Sequence, residues 1–209
     1  MRPGRRYTLL AITAVIVLAF ALAVVLEGPS RRAGSTAASG SGSGFEGSLV
    51  PAGVRARDFT LTDQNGHKVT LDRYKGQVTI LTFLYSTCKD VCPLIIQQIR
   101  GALDDLGRPV PALAISVSPE HDTPSNVRTF LQKASLATRM EYLTGSRSTL
   151  EPLWRSYGIL PESAGEAASD HSAYVLLIDR HGVERVAFGV EQLTPEGLAH
   201  DVRRLQAQS

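Results

Sequence analysis

The stretch that decides the fold runs from Val78 to Leu106 and reads VTILTFLYSTCKDVCPLIIQQIRGALDDL. Residues 78–85 are β-branched, apolar and aromatic, which is typical of a buried strand. From residue 93 to 106 the apolar side chains recur at helical spacing, and a proline is acceptable in a first helical turn. Between these two patterns lie Cys88 and Cys92, the only cysteines of the chain. The stretch therefore predicts a strand, a turn that carries both thiols, and a helix.

Outward from this stretch, strand and helix patterns alternate along the chain. The predicted elements are a strand at 54–61 with a turn at 63–66 and a partner at 69–71, a strand at 112–117, a helix at 123–134, a helix opened by a capping box at 148–151, a strand at 174–178 with a partner at 183–188, and a final helix capped by Thr194 and Pro195. Strands separated by helices imply parallel pairing, and the late hairpin adds an antiparallel strand. The order predicts an α/β, thioredoxin-like fold with an N-terminal β-hairpin extension.

A long apolar segment precedes this pattern. Residues 7–26 carry no charge, and twenty helical residues span about 30 Å, the thickness of a hydrocarbon core. The positive-inside rule, applied to Arg2, Arg5 and Arg6, places residues 1–6 in the cytoplasm. We therefore expect a single transmembrane helix in a bacterial cell membrane, with the C-terminal domain outside the cytoplasm. The alternative is a signal peptide cleaved after the A-x-A pattern at 21–23, but apolar residues continue to position 26, which favours retention.

Residues 27–45 are rich in Gly and Ser and predict a flexible linker. A chain of this composition has a root-mean-square reach of about 20–25 Å, so it would hold a domain near the membrane without fixing its orientation. Residues 46–209 are then long enough to form one thioredoxin-like domain with its own core.

Composition and charge exclude several classes of protein. The chain has 22 Lys and Arg against 20 Asp and Glu, but residues 1–44 alone hold five Arg and one Glu, so the remainder is mildly acidic. Nucleic-acid binding therefore lacks its main electrostatic basis, and we expect no nucleic-acid partner. Two cysteines cannot form a disulfide-rich scaffold or a four-cysteine zinc site.

The two cysteines follow a strand and open a helix, where backbone N–H groups and the helix dipole favour thiolates. At a spacing of four residues on a helical turn, both sulfurs would point to one face. A purely structural disulfide would close a very short loop and gain little entropy. Two active alternatives remain, dithiol redox chemistry and binding of a soft metal. Three residues between the cysteines, rather than two, weaken the analogy with redox motifs.

A soft-metal site needs a third ligand, and the chain offers five histidines: His67, His121, His171, His181 and His200. His67 and His181 occupy predicted turns, His200 a predicted helix, and His121 follows a strand. His171 directly precedes the strand at 174–178, and in a thioredoxin-like fold the loop entering that strand lies beside the active cysteines. We therefore expect His171 to be functional, with Asp170 or a backbone carbonyl orienting its ring.

Two thiolates and one imidazole form a three-coordinate, soft set of donors that suits Cu(I). Zinc would want a fourth ligand, and iron–sulfur clusters would want more cysteines. Reduced thiols outside the cytoplasm risk oxidation, so the site must be metallated or kept reduced by a partner.

Three ordered motifs resemble the Sco (SenC) family of copper chaperones for cytochrome c oxidase. Residues 87–93, TCKDVCP, are similar to T-x-C-P-D-V-C-P with one residue fewer before the first cysteine; residues 116–124, SVSPEHDTP, to S-[IV]-D-P-x-x-D-T-P; and residues 170–172, DHS, to D-H-[ST]. The chain departs from the family pattern at Lys89, which replaces Pro, at Ser118, which replaces Asp, and at His121, which replaces Arg.

The resemblance implies copper bound by Cys88, Cys92 and His171, as Cu(I) or also Cu(II), with Asp90 and Asp170 beside these ligands. It further implies delivery of copper to the CuA site of cytochrome c oxidase subunit II. Other copper chaperones or thiol reductants would be further partners.

Two other functions stay open at the level of sequence. A thiol–disulfide oxidoreductase would reduce the client's CuA cysteines before metal insertion, need both cysteines and tolerate loss of His171. A peroxiredoxin-like peroxidase would use Cys88 as a sulfenate, but Leu81 stands where that class has a proline.

Overall fold

The computed structural model describes residues 43–160 and 173–208, and its centre is a six-stranded sheet. The strands in this part of the chain are β1 Ser48–Leu49, β2 Thr60–Thr62, β3 Lys68–Thr70, β4 Thr79–Leu84, β5 Ala112–Ser116, β6 Glu141–Leu143, β7 Tyr174–Ile178 and β8 Glu184–Gly189. The order in the main sheet is β1-β8-β7-β4-β5-β6, and β2 and β3 form a separate hairpin. The central strand β4 is buried throughout, as its apolar sequence predicts.

Helices connect the strands: α1 Val91–Leu106, α2 Pro124–Lys133, α3 Arg147–Ser156 and α4 Pro195–Ala207, with a 3-10 helix at Leu71–Tyr74. Local sequence explains their ends. The hydroxyl of Thr123 accepts the N–H of Asn126 at 3.3 Å, and the hydroxyl of Thr194 accepts the N–H of Gly197 at 3.1 Å. Helix α1 ends at Gly107, whose φ of 63° is left-handed and favours glycine.

The topology brings the beginning of β7 to the same edge as the end of β4. Strand β4 runs parallel to β5, and β5 to β6, whereas β7 is antiparallel to β4 with Thr82 opposite Val175. The hydroxyl of Thr82 also donates to the carbonyl of Tyr174 at 2.9 Å. The first residues of β7 therefore lie beside the end of β4.

Both faces of the sheet are covered. Helices α1, α2 and α4 pack on one face through residues such as Ile99, Leu131 and Val202, all with 2% exposure or less. The β2–β3 hairpin and α3 pack on the other through Val69 and Trp154. Burial of each such side chain contributes about 1.5–3 kcal/mol to stability. Because both faces of the sheet are covered, a functional site is expected at the ends of the strands.

Two sequence-based predictions of local structure are wrong, and two strands were missed. The strand predicted at 54–61 is reduced to β2, because Arg55 bridges Val183 and the N–H of Ala56 donates to Gly182 instead. Helix α3 begins at Arg147 rather than at the predicted capping box, because the hydroxyl of Ser146 caps it by accepting the N–H of Thr149. Strands β1 and β6 were not predicted at all.

The predicted membrane segment, residues 7–26, and the predicted linker as far as residue 42 lie outside the described residues. Within 43–160 and 173–208, every helix is too short or too polar to cross a bilayer.

Candidate functional site

The two cysteines lie where β4 gives way to α1. Cys88 is in the turn after β4, closed by a hydrogen bond of 3.2 Å from its N–H to the carbonyl of Tyr85. Cys92 is the second residue of α1. The expectation that both cysteines share one helical turn is therefore wrong, because Asp90, with φ −115° and ψ −103°, departs from helical geometry between them.

The sulfurs nevertheless lie side by side. Both cysteines are free and buried, with 8% of Cys88 and 4% of Cys92 exposed. The backbone N–H of Cys92 donates to the sulfur of Cys88 at 3.4 Å. The N-terminus of α1 thus directs a backbone N–H group at the sulfur of Cys88, which stabilises a thiolate at that residue.

The environment drives the pKa values of the two thiols apart. The hydrogen bond from the Cys92 thiol, with further ones from the N–H groups of Asp90 and Cys92, lowers the pKa of Cys88 to about 6 in spite of burial. The same sulfur–sulfur hydrogen bond, then burial and the negative charge of Asp122, raise the pKa of Cys92 well above its ordinary value. The pair therefore favours the thiolate at Cys88 and the proton on Cys92.

A buried carboxylate fixes the turn that carries Cys88. Asp122 is only 3% exposed. It accepts the N–H of Ser86 at 2.7 Å, the hydroxyl of Ser86 at 2.6 Å, the hydroxyl of Ser116 at 2.5 Å and the hydroxyl of Tyr142 at 2.7 Å. Ser86 is two residues before Cys88, so the thiol turn is held to the end of β5 and to β6 by charge-assisted hydrogen bonds.

Tyr142 is fully buried beneath this network. Burial, followed by the negative charge of Asp122, raises its pKa far above the ordinary value, so the hydroxyl stays protonated and remains a donor. Sequence reasoning did not identify Ser86, Ser116 or Tyr142 as part of the site. Asp122 was only one letter of the second motif, SVSPEHDTP. Hydrogen-bond partners that are far apart in the chain leave no periodic pattern in the sequence.

Of the five sequence-predicted site residues, the structure describes three. Cys88 and Cys92 are together, and the backbone N–H of Asp90, rather than its exposed carboxylate, contacts the Cys88 sulfur. His171 and Asp170 lie outside the described residues. Within 43–160 and 173–208, no three metal-ligating side chains come together.

Three of the other four histidines have side-chain partners in the described part of the chain. The Nδ1 atom of His67 lies 3.2 Å from a carboxylate oxygen of Asp63, and that of His200 lies 2.8 Å from Asp201. The Nδ1 atom of His121 lies 2.9 Å from the hydroxyl of Ser118, so two of the departures from the family motif form a pair with each other.

Two free thiols of unequal pKa, at the carboxyl end of the central strand of a thioredoxin-like sheet, define a class of thiol-dependent metal-binding and redox proteins. The sequence model of the SCO1/SenC family matches residues 51–207. The chain belongs to this family.

Related proteins agree with this assignment. The copper-bound structure of Bradyrhizobium japonicum ScoI has 34% sequence identity and a TM-score of 0.61, covering 73% of this chain and 99% of that one. BsSco, described as a member of the Sco family of cytochrome c oxidase assembly proteins, has a TM-score of 0.65 at 24% identity and covers 75% of this chain and 95% of its own. The SCO2-like protein of Rickettsia conorii is 24% identical over 60% of this chain, and the match spans 64% of that relative's length. The predicted family and thioredoxin-like fold are confirmed.

Proposed function

We propose that this protein is a copper chaperone that binds copper through Cys88, Cys92 and His171 and passes it to the CuA site of cytochrome c oxidase subunit II. The observation that carries the proposal is the pair of free cysteines at the end of β4, in which the backbone N–H of Cys92 donates to the sulfur of Cys88. Thiolates prefer soft metals, and Cu(I) accepts a low coordination number of soft donors.

His171 is the third ligand in this proposal. The chain two residues further on, Ala173, packs against the core cluster that contains both cysteines. In this proposal the imidazole of His171 joins the two sulfurs at the edge where β4 ends, because His171 comes shortly before β7 in the sequence and β7 pairs with β4. Asp170 would orient the ring, and the Asp90 N–H would support Cys88.

Two other inferences from sequence complete the proposal. Residues 7–26 anchor the chain in a bacterial membrane, and residues 27–45 let the domain reach an oxidase subunit in the same membrane. Delivery follows from the open coordination sphere of a three-coordinate ion, because a thiolate of the client can enter as a further ligand before Cys88 or Cys92 leaves. Free copper is then never released.

A competition titration with a chromophoric Cu(I) chelator, on the reduced full-length chain, tests the ligand set. We expect one copper per chain in the parent and weakening by at least about tenfold in His171→Ala, because even residues that only orient a ligand cost about 10–100-fold when they are lost. Cys88→Ser should weaken binding further, because it removes a thiolate. The matched control is His67→Ala, a histidine on the β2–β3 hairpin, which should bind like the parent. Equal affinity in His171→Ala and the parent would contradict the proposed site.

A second function is favoured by the unequal pKa values. A thiolate at Cys88 beside a protonated Cys92 is the arrangement in which one thiol attacks a disulfide and the other resolves the mixed disulfide. The chain would then reduce the client's cysteines before copper insertion. Turnover of a peptide disulfide that requires Cys92 and is unchanged in His171→Ala would support this function, and no turnover with either protein would exclude it.

A further inference from the structure

A cleft opens beside Cys88, between α1 and α2. Its volume is about 370 Å³. Helix α1 contributes Ile96 and helix α2 contributes Phe130, which give it an apolar floor, while Thr129 and Lys133 lie at its exposed rim. Cys88 lines the cleft and Cys92 does not.

The burial of Cys88 restricts what can reach it. Only 8% of this residue is exposed, so a globular surface cannot bring a second sulfur into contact with it. A cleft of about 370 Å³ leaves room for a single extended segment of polypeptide, and Thr87 and Thr129 among its lining residues offer hydroxyls to such a segment. A sulfur carried by such a segment would meet the sulfur of Cys88 first.

The charge of the cleft selects among such segments. Lys133 is the only ionic side chain among the lining residues apart from the Cys88 thiol, and no carboxylate lines the cleft, all of these residues lying in the described part of the chain. A carboxylate on the incoming segment would therefore find an opposite charge, and an ammonium group a like charge.

We infer that the cleft between α1 and α2 seats an extended, acidic segment of a client polypeptide and presents that segment's cysteine to the sulfur of Cys88. This inference rests on the proposed function for the existence of a cysteine-bearing client. It adds where the client segment lies and which charge it carries.

Trapping the encounter as a mixed disulfide tests the inference without copper. The probes are acetyl-Ala-Glu-Cys-Glu-Ala-amide and acetyl-Ala-Lys-Cys-Lys-Ala-amide, each as a mixed disulfide with thionitrobenzoate. The Cys88 thiolate attacks the peptide sulfur, a protein–peptide disulfide forms, and coloured thionitrobenzoate leaves with the electron pair of the broken bond. The full-length chain carries Cys92→Ser so that the product is not resolved.

We expect the acidic peptide to react about threefold or more faster than the basic peptide at low ionic strength, and salt to reduce the difference. Lys133→Glu should abolish or reverse this preference. The matched control is Lys68→Glu, the same charge change at an exposed position of the β2–β3 hairpin, which should leave the preference intact. An identical preference in Lys133→Glu and Lys68→Glu would overturn the assigned charge.

A second variant tests the location by shape. Thr129→Trp fills the exposed rim of the cleft, and it should slow both peptides while the small neutral reagent iodoacetamide alkylates Cys88 at the parent rate. Unchanged peptide rates in Thr129→Trp would show that clients approach by another route. Because the readout contains no metal, failure of this inference and failure of the copper site are separate results.

Discussion

The backbone N–H of Cys92 donates a hydrogen bond to the sulfur of Cys88 across 3.4 Å. This contact exists because Cys88 stands in the turn before α1 while Cys92 stands in its first turn, so that the helix N-terminus is directed at a sulfur outside the helix. The pair is therefore asymmetric before any metal or client arrives. The hydrogen bonds favour the negative charge on the sulfur of Cys88, and the more deeply buried sulfur of Cys92 favours its proton.

The first prediction concerns the reactivity of Cys88. Because its pKa is lowered to about 6, the thiolate is populated above that pH and lost as the pH falls below it. Iodoacetamide should therefore alkylate Cys88 in the reduced, metal-free chain with a midpoint near pH 6, whereas Cys92 should resist. In Cys92→Ala, which removes the largest cause of the shift, the midpoint should move up toward the ordinary thiol value of about 8.5. Mass spectrometry of the labelled peptides measures both, with the urea-unfolded chain as control. A folded-state midpoint equal to the unfolded one would contradict the asymmetry.

Proton release on copper binding follows from the same asymmetry. At pH 7.5 Cys88 has already lost its proton, whereas Cys92 must give up its own to become a ligand. Binding of Cu(I) should then release about one proton, compared with about two for a pair of thiols of ordinary pKa. Calorimetric titrations in buffers of different ionisation enthalpy give the number directly. A release of about two would show that Cys88 is protonated in the free chain.

The third prediction concerns Asp122, which accepts hydrogen bonds from Ser86, Ser116 and Tyr142 in a buried setting. Asp122→Asn places an amide donor against donors, so we expect the free energy of unfolding to fall by about 2–4 kcal/mol. It also removes the negative charge that helps to raise the pKa of Cys92, so that pKa should fall. Urea denaturation and alkylation of Cys92 measure the two effects.

Asp72→Asn is the matched control for this change. Asp72 is more than half exposed and pairs with Lys75 at 2.8 Å, so its loss should cost less than about 1 kcal/mol. Equal losses at the two positions would refute the role assigned to Asp122.

A fourth prediction concerns the contact between Asp201 of α4 and the two residues that precede β1. Asp201 of α4 is fully buried and accepts the N–H groups of Glu46 and Gly47 at 3.0 Å, which fixes the start of β1. Asp201→Ala leaves those N–H groups without an acceptor and should cost about 2–3 kcal/mol, with loss of hydrogen-exchange protection at residues 46 and 47. Asp105→Ala, which breaks a half-exposed pair with Arg203, is the control and should cost under about 1 kcal/mol. If residues 46 and 47 kept their hydrogen-exchange protection in Asp201→Ala, Asp201 would not be what holds the start of β1.

The parts of the fold that the sequence predicted are those in which local chemistry decides. The apolar run of β4 and the helix caps at Thr123 and Thr194 depend on near neighbours in the chain, and the structure confirms them. Strand β1 is only two residues long and exposed, and it exists because β8 offers it an edge. No local pattern could have indicated it.

In the candidate site, too, the features that depend on local sequence could be predicted and the contacts between distant residues could not. The two cysteines were identifiable from their position after a strand and from their spacing. The contact between Ser86 and Asp122 joins residues that are 36 positions apart in the chain. It depends on the pairing of β4 with β5, which local sequence does not indicate. The role of His171 stays a prediction, since it rests on a motif and on the strand that follows it.

The measurement that tests the account most directly is X-ray absorption at the copper edge on the Cu(I)-loaded full-length chain and on its His171→Ala variant. The account predicts two sulfur atoms and one imidazole nitrogen bound to copper in the parent, and loss of the imidazole signal in the variant. Identical spectra from the two proteins, or a copper atom bound by sulfur alone in the parent, would contradict the site formed by Cys88, Cys92 and His171.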